Sequence, residues 1–152
     1  MANYITDSGK RLYIAARVYN DAAIPLTTGV GKFLTFNQER FDTAGIHDVG
    51  SNTDRLTIPE NGKYLIIFNG AFESNSTNTR QFSFQINGST EIANTTVSAA
   101  NGFATRLCLT TIYDLSASEY VRVRAYQNST VELDITVEGN ISPEFSICKI
   151  AD

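Results

Sequence analysis

The chain has 152 residues, a formal net charge of −4 and a hydrophobic share of 42%. This length suits one domain with a single core, and the composition is globular rather than disordered. The 12 basic residues are scattered among 16 acidic ones, so we expect no nucleic-acid partner, which would need clustered lysines and arginines. No apolar run approaches the roughly 18 residues of a membrane span, so no membrane partner is predicted.

The first 29 residues contain no alternating partner strand of their own. They also lack the apolar core of a signal peptide, so we expect synthesis in a cytoplasm without export. "LYIAARVY" at 12–19 fits a short helix and alternates almost as well as a strand. We predict an N-terminal arm at 1–29 in front of a single domain at 30–152. The candidate anchor residues of this arm are its larger side chains: Tyr4, Ile5, Leu12, Tyr13, Ile14, Val18 and Tyr19.

From Phe33 onward the hydrophobic period is two, which predicts strands. The strand patterns lie at 32–36, 55–58, 63–73, 80–86, 91–99, 103–115, 119–127, 130–139 and 144–150. Their turns are rich in Gly, Asn and Ser, and Asn87-Gly88 is a strong hairpin signal. The pattern predicts an all-β, antiparallel sandwich or barrel of about ten strands.

Two of these strands have further features. The strand at 63–73 begins with apolar residues on both faces, which predicts a central strand covered on both sides. "RVRAY" at 122–126 is the densest basic patch, and its alternation places two arginines on one face of a strand. The segment from Pro59 to Gly62 fits a β-turn, with Glu60 as a solvated turn residue.

No set of residues predicts catalysis, a cofactor site or a metal site, so we expect a protein that is not an enzyme. The one histidine, His47, adjoins Asp48, and neighbours on a strand point to opposite faces, so we interpret it as a loop or surface residue. Cys108 and Cys148 are too few and too far apart for a metal or redox site, and we predict buried free thiols. The acidic residues of 42–60 lack calcium-loop spacing and are interpreted as turn caps.

Four stretches follow one another in a recognisable order: FNQERFDTAG, RLTIPENGKYLIIFNGAF, LTTIYDLSASEYVRVRAYQNS and EFSICKI. They contain Phe41-Asp42 with Gly45, Pro59, Gly62 to Tyr64, Leu115 to Val121, and Phe145. With these residues in this order, the chain from 30 to 150 resembles the jelly roll shared by the complement q-subcomponent head and the tumour necrosis factor cytokines. One departure is the hairpin at Ser118-Glu119, where the family usually has Gly-Asp.

The resemblance implies a homotrimer in which three jelly rolls pack around a threefold axis through one sheet. By analogy, the candidate interface residues are Phe36, Phe82, Tyr120, Tyr126 and Phe145. The collagen-like stalk of the animal members is absent, because no Gly-x-y repeat precedes Val30.

The segment FDTAGIHDVGSNTDRLTIPENGKYLI at 41–66 is most similar to the versions of this jelly roll that tailed bacteriophages and some bacteria carry. This similarity implies a phage virion protein. Our leading hypothesis is a trimeric capsid decoration, or cement, protein that docks on the head through its N-terminal arm. The alternative is a receptor-binding or adhesion module in which the loops Asn75–Thr79 and Asn87–Thr90 contact host-surface glycans.

Overall fold

The computed structural model describes residues 13–152 and contains twelve strands there. They are β1 (Ala15–Tyr19), β2 (Ile24–Leu26), β3 (Lys32–Phe33), β4 (Gln38–Asp42), β5 (Leu56–Thr57), β6 (Gly62–Phe72), β7 (Thr79–Ile86), β8 (Thr90–Ser98), β9 (Thr105–Leu115), β10 (Tyr120–Gln127), β11 (Leu133–Ile135) and β12 (Glu144–Ala151). Within residues 13–152 no helix is long and apolar enough to cross a membrane.

The strands form two antiparallel sheets. The seven-stranded sheet has the order β2-β11-β6-β12-β1-β4, and β9 pairs with the other edge of β6 along its whole length. The five-stranded sheet has the order β3-β10-β7-β8, and β5 also pairs with β10. The predicted antiparallel sandwich is therefore confirmed.

The core lies between the two sheets and is built from alternate residues of their strands. On β6 the side chains of Tyr64, Ile66, Phe68 and Phe72 are fully buried. Phe68 meets Phe82 of the other sheet edge-to-face, with ring centroids 4.7 Å apart, and Phe72 stacks on the same ring at 4.6 Å. These aromatic pairs join the two sheets, because β6 and β7 belong to different ones.

The predicted arm at 1–29 is corrected by the two strands that precede residue 30. β1 pairs with β12 on one side and with β4 on the other, so both of its edges are hydrogen-bonded inside the sheet. Val18 and Leu26 are fully buried, and Ile24 is 4% exposed. A strand held on both edges with its apolar face in the core belongs to the sandwich, so the sandwich includes β1 and β2 and does not start at Val30.

Candidate functional site

The most distinctive surface is the side of the seven-stranded sheet that faces away from the core. Register places Leu65 of β6 beside Ile112 of β9 and Cys148 of β12, and Cys148 beside Ala15 of β1. We call this surface the apolar face and define it by Ala15, Phe41, Leu65, Ile67, Ile112, Cys148 and Ile150.

The apolar face carries large side chains that the subunit leaves uncovered. Ile112 is 58% exposed, Ile150 is 50% exposed and Phe41 is 48% exposed, while Leu65 and Ile67 are half-buried between them. Scattered exposed hydrophobic residues are ordinary, but a continuous apolar row that crosses four strands marks an interaction surface. That row is Ile112, Leu65, Cys148 and Ala15, whereas Ser146 and Arg17 separate Ile67 from Phe41. The prediction that β6 is covered on both sides therefore fails within one subunit: its second apolar side faces outward.

One end of the same sheet face is polar and charged. Glu144 of β12 is 1% exposed, and its carboxylate accepts hydrogen bonds from Arg17 Nε at 2.8 Å and Arg40 Nη2 at 2.8 Å. The Arg40 guanidinium also lies over the Tyr19 ring, 3.7 Å from its centroid. The hydrogen bond from Arg40 to Glu144 raises the arginine pKa. This end has fixed charge and geometry, so it favours one orientation of a bound partner.

Both cysteines lie on the outward side of this sheet and neither is in a disulfide. Cys108 of β9 is exposed and Cys148 of β12 is partly exposed. The prediction of buried thiols is wrong for Cys108, because residues of β9 alternate and Leu109 takes the inward position.

The five predicted interface residues do not share one surface. Phe36, Phe82 and Phe145 are fully buried in the core of the subunit, where Phe36 contacts Phe145 with ring centroids 5.4 Å apart. Tyr120 and Tyr126 lie on the outer side of the five-stranded sheet, opposite the apolar face. Alternation divides the residues of a strand into two rows, but it does not tell which aromatic row meets the other sheet.

The predicted anchor residues are also separated. Tyr4, Ile5 and Leu12 lie outside the described residues. Tyr13 is exposed, Ile14 packs against the core, Val18 is fully buried and Tyr19 lies beneath Arg40. The structure does not bring these four side chains together as one docking surface.

The histidine is a loop residue, as predicted, but its side chain is buried. His47 Nδ1 lies 3.1 Å from Glu39 Oε1, and the imidazole has no exposed surface. It adjoins a pocket of about 240 Å³ lined mainly by polar residues of 45–57. Among residues 13–152 no group of three or more His, Cys, Asp or Glu side chains converges as metal ligands would. That the chain is not an enzyme stays a prediction.

Glu60 of the proline turn is not an isolated solvated residue. Its carboxylate lies 2.5 Å from Lys149 Nζ, and its carbonyl accepts a hydrogen bond from the Tyr64 hydroxyl at 2.8 Å. Hydrogen bonds to Asp152 and Glu60 raise the pKa of Lys149. Burial raises the pKa of Tyr64 above its ordinary value. The turn is therefore fastened to the last strand, which is a structural role and carries no chemistry.

Comparison with known proteins identifies the fold and no more. No protein-family model matches the sequence, and the search of curated proteins finds no match. The structure is similar to that of murine APRIL at pH 5.0, with a TM-score of 0.68 and 10% identity over 91% of this chain and 99% of that one. It is also similar to Eiger TNF from S. frugiperda, with a TM-score of 0.64 and 13% identity over 93% and 95% of the two chains. The fold is thus the tumour necrosis factor-like jelly roll.

Proposed function

We propose that this protein is a homotrimeric jelly-roll structural protein whose subunits associate through the apolar face. The observation that carries the proposal is the uncovered second side of β6, where Leu65 and Ile67 adjoin the exposed Ile112. Covering such a patch gains about 25 cal/mol for each Å² of apolar surface removed from water. The resemblance to a family of threefold assemblies supports a trimer as the closed form.

The mass of the protein in solution tests the association. Three copies of the 16.7 kDa chain weigh about 50 kDa, which we expect by sedimentation or by light scattering after gel filtration. Ile112→Asp places a charge on the apolar face beside Leu65 and is expected to dissociate the assembly. A loss of about 2 kcal/mol, typical of an interface hot spot, raises the dissociation constant roughly 30-fold.

Val49→Asp provides a matched control for this variant. Val49 is 51% exposed, comparable with Ile112, but it lies in the loop before β5 rather than on the sheet. We expect Val49→Asp to keep the wild-type mass. A wild-type chain that sediments as a 16.7 kDa monomer at micromolar concentration would overturn the proposal.

The setting that we propose for this assembly is the bacteriophage virion, as a decoration protein on the capsid. Support comes from the similarity of residues 41–66 to phage-borne versions and from a low charged share of 18% in a chain rich in Asn, Ser and Thr. Since β1 and β2 belong to the sandwich, the candidate anchor is now the segment before Tyr13.

Binding to phage heads tests this setting. Purified protein is mixed with heads assembled without it, and co-sedimentation measures decoration. A variant that lacks residues 2–12 is expected to keep the trimer mass and to lose decoration. If this variant decorates heads as well as the full chain, the anchor is elsewhere. If the full chain does not bind heads, the decoration role is wrong while the trimer stands.

A second candidate function is recognition of a host surface through the loop Asn75–Thr79. Arg80 has no exposed surface and donates hydrogen bonds to the carbonyls of Asn75 at 2.9 Å and Thr77 at 2.9 Å. Asn128 holds the other end, where its Oδ1 accepts a hydrogen bond from the Thr79 amide at 2.9 Å. A loop fixed in advance loses little entropy on binding, which favours recognition.

Cell binding separates the two candidates. Labelled trimer is incubated with host cells, and a variant with Ser76 and Thr77 changed to alanine is compared with one that carries Thr95→Ala on β8. The recognition candidate predicts that only the loop variant loses binding. A protein that decorates heads and does not bind cells eliminates it.

A further inference from the structure

A row of arginine and aromatic side chains covers the outer side of the five-stranded sheet. Tyr120, Arg122, Arg124 and Tyr126 point away from the core, because the residues between them on β10 are fully buried. β3 places Phe33 in register with Arg124, and the segment before β5 adds Arg55. We call this surface the cationic ladder: Phe33, Arg55, Tyr120, Arg122, Arg124 and Tyr126.

The charges at one end of the cationic ladder are already compensated. The Arg55 guanidinium lies 4.2 Å from the centroid of the Tyr120 ring, and that of Arg122 lies 4.2 Å from the centroid of Phe33. Asp54 forms ion pairs with both arginines. On β8, which is separated from β10 by β7, Glu91 is in register with Gln85 and accepts a hydrogen bond from Asn94. This end is therefore a structural cluster of cation–π contacts and ion pairs.

The charge at the other end, that of Arg124, is not compensated. Among the described residues, Arg124 has no hydrogen bond and no ion pair. Its guanidinium lies against the backbone of Gly31, where a Cβ atom would be only 1.8 Å from Arg124 Nη2. Lys32 is in register with the buried Ala125 and donates to the carbonyl of Pro25 in the other sheet at 2.9 Å, so it does not share this surface. No acidic residue is in register with 123–127 on either adjacent strand.

Neutral polar groups continue this end of the surface across the sheet. Gln81 is in register with Tyr126 and Ser83 with Arg124. Asn94 and Thr96 of β8 are next in the same rows, where the Thr96 hydroxyl donates to Asn94 and the Asn94 amide donates to Glu91. Ser83 is buried, and its hydroxyl has no hydrogen-bond partner among residues 13–152. Amide and hydroxyl groups donate to and accept from sugar hydroxyls, whereas the guanidinium fork binds a carboxylate with two parallel hydrogen bonds.

We propose that the Arg124 end of the cationic ladder binds an acidic polysaccharide that carries carboxylates. Arg124 holds the carboxylate, Tyr126 contacts a sugar face, and Gln81 binds a hydroxyl. A net charge of −4 and a single uncompensated arginine on this surface make nucleic acid a poor fit, since that binding depends on many phosphate contacts. The site is complete within one subunit and lies opposite the apolar face, so it does not depend on the proposed trimer.

Binding to immobilised polygalacturonate at about 50 mM NaCl, where charge pairs are weakly screened, tests the proposal. Dextran is the neutral sugar control, and polyglutamate is the acidic polymer without sugars. We expect the full chain to bind polygalacturonate in preference to both. Arg124→Gln is expected to weaken binding roughly tenfold, as the loss of a charged hydrogen bond would. Arg124→Lys keeps the charge without the fork and is expected to weaken it several-fold.

Arg106→Gln is the matched control, because it removes the same charge from an exposed arginine on the seven-stranded sheet, where Arg106 pairs with Glu138. It is expected to bind as the wild type does, and thermal melting checks that each variant is folded. Absence of wild-type binding, or equal loss in Arg106→Gln and Arg124→Gln, would overturn the site. Equal binding to polyglutamate would overturn the saccharide class, and equal binding to dextran would overturn the role of the carboxylate.

Discussion

Gly70 lies near the C-terminal end of β6, where its missing side chain makes room for two aromatic rings. A Cβ atom added there would lie 2.6 Å from Phe68 Cε1 and 2.7 Å from Phe82 Cζ. Ordinary carbon contacts are about 3.5–4.0 Å, so the rings would have to move by roughly 1 Å. Both rings are fully buried, and Phe82 also stacks on Phe72. Gly70→Ala therefore overpacks the core between the two sheets.

The expected magnitude follows from two opposing effects. Overpacking costs about 1–3 kcal/mol, while replacing glycine by alanine restricts the unfolded chain and returns about 0.4–1 kcal/mol. We expect Gly70→Ala to lower the free energy of unfolding by about 1–2 kcal/mol. For a chain of this size that corresponds to roughly 2–8 °C in Tm.

Urea unfolding followed by circular dichroism measures the change, at one fixed protein concentration because association adds to apparent stability. Gly50→Ala is the control, because the nearest atom to its Cβ is Asp48 Oδ1 at 3.4 Å. We expect its stability to stay within about 0.5 kcal/mol of the wild type. If Gly70→Ala is as stable as Gly50→Ala, the rings of Phe68 and Phe82 shift without a cost in stability, and the overpacking prediction is wrong. Phe82→Leu should relieve part of the cost, so the double variant should be more stable than additivity predicts.

Three further predictions concern polar groups. The raised pKa of Tyr64 means that the folded state holds this proton more tightly than the unfolded chain, so stability is kept below about pH 10 and lost as pH rises through the raised pKa. In urea titrations from pH 8 to 11, the free energy of unfolding of Tyr64→Phe should decline less than that of the wild type. At neutral pH the variant should be less stable by about 0.5–1.5 kcal/mol, because it lacks the hydrogen bond to Glu60. A parallel decline in both proteins would contradict this prediction. Arg80→Met should lower the free energy of unfolding by about 1–3 kcal/mol, because the carbonyls that Arg80 binds lose their donor. Limited proteolysis should cut the variant first within 73–78. Unchanged stability and cleavage would show that Arg80 does not order that loop. Glu144→Gln should lower the free energy of unfolding measured in urea by roughly 1.5–3 kcal/mol, since two arginines lose a charged acceptor. An equal loss at about 1 M NaCl would show that the effect is not electrostatic.

The alternating strands were predictable because each carries its own signal. The patterns at 63–73, 103–115 and 119–127 correspond to β6, β9 and β10 within two residues at each end. Three strands were missed. β1 was ambiguous between helix and strand, β2 has only three residues, and β4 lies in QERFD, where one large apolar residue stands among polar ones. Strands of three to five residues hold too few alternating apolar side chains for a local pattern to mark them.

The candidate sites were less predictable than the strands, for a related reason. Alternation shows that Arg122 and Arg124 share a face, but Gly31, Phe33 and Arg55 reach that face from segments about 70–90 residues earlier in the chain. Likewise, the phenylalanines proposed for a subunit interface have the same periodicity as core residues. Only the second sheet, packed over them, decides that they are internal.

By itself the sequence determined the fold class, the position of most strands and the two faces of each, because backbone alternation with period two is a local property of the chain. The tertiary structure alone decided which of those faces stays open. It closed one side of β6 with the aromatic core and left Leu65, Ile67 and Ile112 uncovered. It also gathered the cationic ladder from three separate segments. Burial depends on what packs across a sheet, and that is set by contacts between residues far apart in sequence.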